Sequence, residues 1–456
     1  MVFEGRRMRN MRIVLLCGGS GKRLWPLSND IRSKVFLRLL TTEDGVKESM
    51  IERICRQLDE AGLLQSTCIV THHSQAEITR RYVGNNIPII SEPFKRGTFT
   101  AVALAASYLH EKLQADPDET ICILPADTYV DTAFFRLLHR FPDVLGRSRA
   151  DLALLGTKPM QPSDQFGYIV PALPKADGEY AFVRRFIEKP NIRTARRLMA
   201  HQAMWNCGVF AFPLRFMLTY LKDKGHPVRI AEWLTNYEQL PEASFDREVV
   251  ETTVPVVAME YVGHWTDLGS WMALTGHMKD RAIGLGHISD DSADTHLINE
   301  LPYPIEMIGV SGIIAAASTD GILIASKEHA HRIKERLALA PQIPMYEEKR
   351  WGSCRVLSYG KDTSGVETMI KQVRLAAGKS TSYHVHHRRQ ELLTVVTGSA
   401  EVILEEQQYR LNAGDVLKIP AGAKHGIKAI TPLELVEVLL GSDLAQEDIT
   451  RIAVDW

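Results

Sequence analysis

Residue types able to do chemistry gather first in "CGGSGKRLWPLSNDIRSK", residues 17–34. Gly18, Gly19 and Gly21 let the backbone approach an anion closely and aim amides at it. Lys22, Arg23 and Lys34 follow, and Arg23 and Lys34 can neutralise a triphosphate. Neither common phosphate motif fits. G-x-x-x-x-G-K-[ST] fails because Leu16 stands five before Gly21 and Arg23 follows Lys22. G-x-G-x-x-G fails because Leu24 takes the place of its last glycine. An ordinary glycine-rich turn with solvated basic residues carries the same letters. Asp127 in "LPADTYV" and Asp267 in "HWTDLGSW" each stand at the end of an apolar run, where an unpaired carboxylate is costly. Two such carboxylates can share one Mg²⁺ with substrate phosphates, because that ion takes only one or two from a protein. Singly, each reads as a turn former or a helix cap.

A second set lies near the other end. "GKSTSYHVHHRRQELLTVVTG" parses as G-x5-H-x-H-x4-E-x6-G on Gly378, His384, His386, Glu391 and Gly398. "GDVLKIPAGAKH" parses as G-x5-P-x-G-x2-H and ends on His425. Strand alternation puts His384 and His386 on one face. Glu391 and His425 on neighbouring strands complete a mixed N/O set suited to Zn, Mn, Fe or Ni. Histidines that only hydrogen-bond inside a barrel fit the same spacing.

The elements that must position these residues change along the chain. Strands such as "RIVLLC", "STCIVTH", "IPIISEP" and "TICILPAD" alternate with helices over "KESMIERICRQLDEAG" and "FTAVALAASYLHEKL". In the second helix Val102, Ala105, Ala106, Leu109 and Leu113 form one apolar stripe. This pattern predicts an α/β fold with a Rossmann-like, mostly parallel sheet covered on both faces, its ligands beyond the carboxyl ends of the strands. We expect that domain over residues 1–280. Residues 281–345 turn to short β-like runs and a charged helix, "KEHAHRIKERL". Residues 346–456 read as short strands and tight turns, an all-β barrel or sandwich.

With 456 residues and 45% apolar content, two to four domains are expected at roughly 100–200 residues each. Lys and Arg number 54 against 55 Asp and Glu, a net charge of −1 that lends no support to nucleic-acid or membrane-surface binding. The six cysteines form no C-x-x-C pair and several sit in apolar runs, as reduced thiols of a cytoplasmic protein do. The sequence shows no signal peptide or membrane span.

In order, "GGSGKRLWPL", "KVFL", "EPFKR", "PAD", "FGYI", "EKP", "WNCG" and "DLGSW" resemble the motifs of the sugar-phosphate nucleotidyltransferases over residues 11–280. Within these, the set is most similar to the mannose-1-phosphate guanylyltransferase family. That resemblance implies transfer of GMP from GTP to a sugar-1-phosphate with Mg²⁺. It implies GTP phosphates on Gly18, Gly19, Gly21, Lys22 and Arg23, with Lys34 stabilising charge during transfer. Glu92, Arg96 and Thr98 would lie near the base, and Asp127 and Asp267 would bind Mg²⁺. Tyr168, Glu188, Asn206 and Gly208 would serve the sugar, and Lys189 its phosphate. The chain departs from the pattern at Lys22 (usually threonine), Ser33 (proline), Val35 (glutamine), Gly97 (asparagine) and Thr128 (histidine). The C-terminal pair of motifs resembles the cupins. Its pairing with the first domain is similar to bifunctional guanylyltransferase/mannose-6-phosphate isomerases, with residues 281–345 as a short β-helical connector that could carry a homodimer interface. Leu392 and Leu393 replace the His-Trp of the isomerase pattern, and the spacer before Glu391 is longer. The alternatives to GDP-mannose synthesis are another sugar-1-phosphate or NTP, an added isomerase activity, or a regulatory subunit that binds nucleotide-sugar without turnover.

Overall fold

The computed structural model of the protein describes residues 11–19, 21–172, 178–339, 344–442, 444 and 448–452. The chain divides into two units, one of residues 1–19 and 34–279 and one of residues 20–33 and 280–456.

The first unit is built on a nine-stranded sheet. Its order is Ile89–Glu92, Thr67–His72, Met11–Leu16, Thr120–Pro125, Met204–Pro213, Leu152–Thr157, Val256–Tyr261, Tyr180–Ile187 and Tyr168–Pro171. The first four strands run parallel; the near-continuous apolar sequences of Thr67–His72 and Thr120–Pro125 are buried on both faces, whereas the edge strand Ile89–Glu92 leaves Ser91 exposed. Met204–Pro213 then enters antiparallel between Thr120–Pro125 and Leu152–Thr157, so the far half of the sheet is mixed. The helix Met50–Glu60 starts at a capping box. The Ser49 Oγ accepts from the Glu52 N, and the Glu52 carboxylate accepts from the Ser49 N. The helix Thr98–Glu111 carries no single stripe: every residue from Phe99 to Ser107 is buried. It lies under the sheet on one side and under helices Leu214–Asp223 and Ile230–Thr235 on the other, so all its faces are apolar.

In the second unit, residues 282–318 make short parallel rungs, and Gly321–Ser326 returns antiparallel along Ile313–Ser318. Ala282–Gly284 pairs with His296–Asn299, which pairs with Ile313–Ser318, and Gly286–Ile288 pairs with Ile305–Met307. Ile288, Leu297, Met307 and Ala315 fill their interior. Residues 21–33, which sequence alone assigns to the first domain, fold against this region. Ser318 Oγ donates to the Pro26 carbonyl at 2.6 Å. Asn29 Nδ2 donates to Asp320 and to the Tyr346 carbonyl, both at 2.9 Å. Arg32 pairs with Glu300 at 2.9 Å and Glu348 at 3.4 Å.

Beyond residue 344 the strands are antiparallel and form two facing sheets. One runs from Tyr346–Lys349 to Val416–Ile419 in six strands, and the other from Gln407–Asn412 to Ile449–Arg451 in five. Val373, Leu393, Val402, Ile427 and Leu435 pack between them. No helix among the described residues is long and apolar enough to cross a membrane.

Candidate active site and metal centre

The strand Thr120–Pro125 delivers Asp127 just past its carboxyl end, and Thr128–Tyr129 pairs antiparallel with Thr266–Asp267. That small ladder brings together two aspartates 140 positions apart in sequence. Lys34, on a single 3₁₀ turn, aims its ammonium between them, at 2.5 Å from Asp127 Oδ2 and 3.8 Å from Asp267 Oδ1. The three side chains are partly exposed. Gly269 has to be small, since a Cβ there would lie 2.9 Å from the Asp267 carboxylate. Two carboxylates that already share one cation are a donor set that fits a divalent ion between protein and phosphate.

Gly18 and Gly19 leave the neighbouring strand Met11–Leu16 in the same unit. Gly21 has a φ of 63°, which favours glycine, and opens the turn Lys22–Leu24 in the second unit. Lys22 is exposed and Arg23 half-buried there.

Glu92 closes the edge strand and is buried, with its Oε1 accepting from the Tyr237 hydroxyl at 2.6 Å. Burial pushes its carboxyl up to about 7, against the Tyr237 hydrogen bond and the nearby Lys95. Arg96 donates to the Glu238 carbonyl, and Thr98 Oγ1 accepts from the Phe245 N at 2.9 Å.

Of the residues expected at the sugar, Glu188 and Asn206 converge with a second acid, Asp246. Asn206 Nδ2 donates to Asp246 at 3.1 Å, and Asn206 Oδ1 accepts from the Gly208 N at 3.1 Å. Glu188 pairs with Lys189 at 2.9 Å, and its backbone N donates to Glu251. Burial, then the Glu188 charge, pushes the Asp246 carboxyl up to about 7. Tyr168 is fully buried, and its hydroxyl accepts from the Ser163 N at 3.0 Å. Sequence reading missed Asp246, Glu251 and Tyr237. Asp246 sits on a π-helical turn, a geometry frequent at functional sites, but "SFDREVV" shows no periodicity that marks one.

In the second unit His384, His386 and His425 each present a ring nitrogen, all within 4.8 Å of one another. His384 and His425 are direct cross-strand partners. Glu391 reaches in with Oε1 at 3.1 Å from His386 Nε2 and Oε2 at 3.3 Å from His425 Nε2. The outer nitrogens are fixed by backbone carbonyls: His384 Nδ1 by Ser382, His386 Nδ1 by Asp448 and His425 Nδ1 by Ala423. These carbonyl contacts orient the rings so that Nε2 of His386 and His425 faces the Glu391 carboxylate, with the Arg389 guanidinium 3.0 Å from His386 Nε2. Burial, then His425, pushes the His384 imidazole down to about 4, so it is neutral at pH 7. Burial alone would raise the Glu391 carboxyl, but hydrogen bonds from His386 and His425 outweigh it and hold the group well below its ordinary value. Three imidazoles and a carboxylate on anchored scaffolding fit a transition metal.

The nucleotidyl transferase family model matches residues 12–282, more than half of the chain. The chain belongs to the nucleotidyl transferase family. A second model, the mannose-6-phosphate isomerase C-terminal domain, matches residues 344–454. Among curated relatives, the Escherichia coli mannose-1-phosphate guanylyltransferase is 27% identical, covering 96% of this chain and 98% of its own. The Pseudomonas aeruginosa alginate biosynthesis protein AlgA is 28% identical, covering 96% and 95%. A Thermus thermophilus crystal structure described as a mannose-1-phosphate geranyltransferase matches with a TM-score of 0.60 at 26% identity, over 73% of this chain and all of that one.

The departures from the nucleotidyl transferase pattern have local reasons. Gly97 has a φ of 88°, and a Cβ there would collide with the Ala243 carbonyl, so asparagine would not fit. Ser33, Val35 and Thr128 are all buried. In the C-terminal motif, the extra residues His387 and Arg388 are tied down by Asp448, whose carboxylate accepts from both their backbone N atoms at 3.1 Å. Leu393, in place of an aromatic residue, packs in the core between the sheets.

Proposed function

We propose that the protein transfers a guanylyl group from GTP to mannose-1-phosphate, giving GDP-mannose and pyrophosphate. The observation that carries this reading is Lys34 set between Asp127 and Asp267 in a nucleotidyl transferase sheet. Relatives named for this reaction, alike over nearly the full chain, support the choice of substrates. A phosphate oxygen of mannose-1-phosphate attacks the α-phosphorus of GTP. The new P–O bond forms as the bond to the β-phosphate breaks, and pyrophosphate leaves with that electron pair. No protein nucleophile takes part; positioning and charge neutralisation carry the reaction.

Lys34 neutralises charge on the phosphates undergoing transfer. Asp127 and Asp267 would hold Mg²⁺, which when bound supplies further neutralisation of phosphate charge. Gly18 and Gly19 serve the GTP phosphates, Glu92 the base, and Glu188, Asn206 and Asp246 the sugar hydroxyls. Lys189, exposed beside Glu188, serves the sugar phosphate. His384, His386, His425 and Glu391 would hold Zn, Mn, Fe or Ni as a centre separate in chemistry from the transfer site. Six free thiols suit a reducing compartment such as the cytoplasm. The test is pyrophosphate release from four NTPs against several sugar-1-phosphates. GTP with mannose-1-phosphate should lead by at least about 10-fold, as a site that pairs a buried acid with a base edge requires. A different leading pair would overturn the substrate assignment.

A further inference from the structure

Glu92 stands between two parts of the first unit that sequence does not connect. On one side is the glycine loop: a Cβ on Gly18 would lie 3.3 Å from Glu92 Oε2, so that oxygen abuts the backbone where the loop begins. On the other is Tyr237, 145 positions away, whose hydroxyl donates to Oε1 at 2.6 Å. Tyr237 is 1% exposed and sits on the turn Tyr237–Gln239. The segment that carries it is laced to the loop just after Glu92. Arg96 donates to the Glu238 carbonyl, Ala243 N to the Arg96 carbonyl at 3.1 Å, and Phe99 N to the Ala243 carbonyl at 3.1 Å. Phe245 N donates to Thr98 Oγ1 at 2.9 Å. Gly97, bare of a side chain under Ala243, permits this close approach. A tyrosine placed by so many ties, with its hydroxyl on a buried acid, is more than core filling.

We infer that Tyr237 is a positioning residue which fixes the Glu92 carboxylate for the Watson–Crick edge of guanine and so sets the preference for a purine with a 2-amino group. The inference rests on the placing of Glu92 at the base. Guanine offers two neighbouring donors on that edge, N1–H and one N–H of the 2-amino group, and an ionised carboxylate accepts both. Adenine places a ring acceptor where guanine has N1–H, so it meets the carboxylate with repulsion. Tyr237 donates to Oε1 and so holds the rotation of the carboxylate, leaving the second lone pair of Oε1 and those of Oε2 for other donors. Its hydrogen bond also favours the charged form against burial, and only that form accepts from both donors.

The test compares GTP with ITP, which keeps N1–H and lacks the 2-amino group. Affinities of both would be measured by calorimetry, and steady-state constants by pyrophosphate release, for the wild-type chain, Tyr237→Phe and Glu92→Gln. The wild type should favour GTP. Tyr237→Phe should weaken GTP by roughly 10-fold or more, the worth of a hydrogen bond to a charged group, and ITP by much less. The GTP-to-ITP ratio then falls while the KM for mannose-1-phosphate stays within about twofold, a split that a loss of folding would not give. Glu92→Gln should lower the same ratio, and adding Tyr237→Phe to it should lower it no further. A wild-type preference that survives Tyr237→Phe overturns the role of Tyr237 alone, as does a parallel loss for both nucleotides. A wild type that binds GTP no better than ITP removes Glu92 from the base and takes both readings with it.

Discussion

The two sites solve opposite electrostatic problems. At the proposed transfer site, Lys34, Asp127 and Asp267 are partly exposed, one ammonium facing two carboxylates. A polyanion with its cation can exchange partners with such a set at modest desolvation cost. In the C-terminal unit the donors are buried, at most 6% exposed for His386, Glu391 and His425, and the outer nitrogens of the imidazoles are fixed to backbone carbonyls. A soft, directional ion rewards rigid geometry, whereas a phosphate chain rewards charge that can shift. One centre is tuned by charge balance and the other by orientation.

Lys34→Ala strikes the first kind of site at its centre. It leaves two carboxylates facing the incoming phosphates, and kcat for pyrophosphate release should fall by about 10³-fold, as loss of a transition-state charge partner does. A fall below tenfold would break the contrast. Arg32, two positions earlier, is a cation of another kind, committed to Glu300 and to the buried Glu348. Arg32→Met strands a buried acid, so urea unfolding of the second unit should lose about 3 kcal/mol. Asp448→Ala tests orientation at the metal centre. Without that carboxylate the backbone of His387 and Arg388 loosens beside His386, and metal retention in a competition with chelator should drop about 10-fold or more. If Asp448→Ala binds metal as the wild type does, anchoring is not what defines the site.

A pH dependence is also expected. The folded Glu92 carboxyl lies at about 7, above its ordinary 4.5, so the fold favours the protonated form. The stability this group contributes is therefore complete below pH 4.5 and is lost as pH rises through 7. Glu92→Gln escapes that loss. It should be more stable than the wild type by about 2 kcal/mol at pH 8 and equal to it near pH 4.5, read from thermal melts in each buffer. Equal stability at both pH values would show that burial does not strain the carboxylate.

Much of this was readable in the sequence because the decisive signals are local. Asp127 and Asp267 stand at abrupt ends of apolar runs, and the H-x-H, Glu and His spacing of the C-terminal motifs follows from strand alternation. Lys34 was legible as a cation near glycines, but its seat between the two aspartates depends on a ladder that no local pattern announces. The illegible parts come from long-range packing. Residues 21–33 read as part of the first domain, yet Asn29, Arg32 and Pro26 find their partners beyond residue 299. Helix Thr98–Glu111 shows a stripe only if its alanines are discounted; with two helices and a sheet around it, small residues are core on every side. Tyr168 lies in a motif of the right order, but its full burial and its hydrogen bond from the Ser163 N are set by packing that the motif does not announce. Tyr237 and Asp246 arrive from residues 237–250, where the sequence carries no signature at all.

The central claim is that the Lys34, Asp127 and Asp267 cluster is where guanylyl transfer occurs. The most direct measurement is the Mg²⁺ dependence of pyrophosphate release from GTP and mannose-1-phosphate in the wild type and in Asp267→Ala. Activity should rise with Mg²⁺ in the wild type and, in Asp267→Ala, fall by about 100-fold or more, a loss that added Mg²⁺ does not restore. Wild-type rates in Asp267→Ala would place the reaction elsewhere.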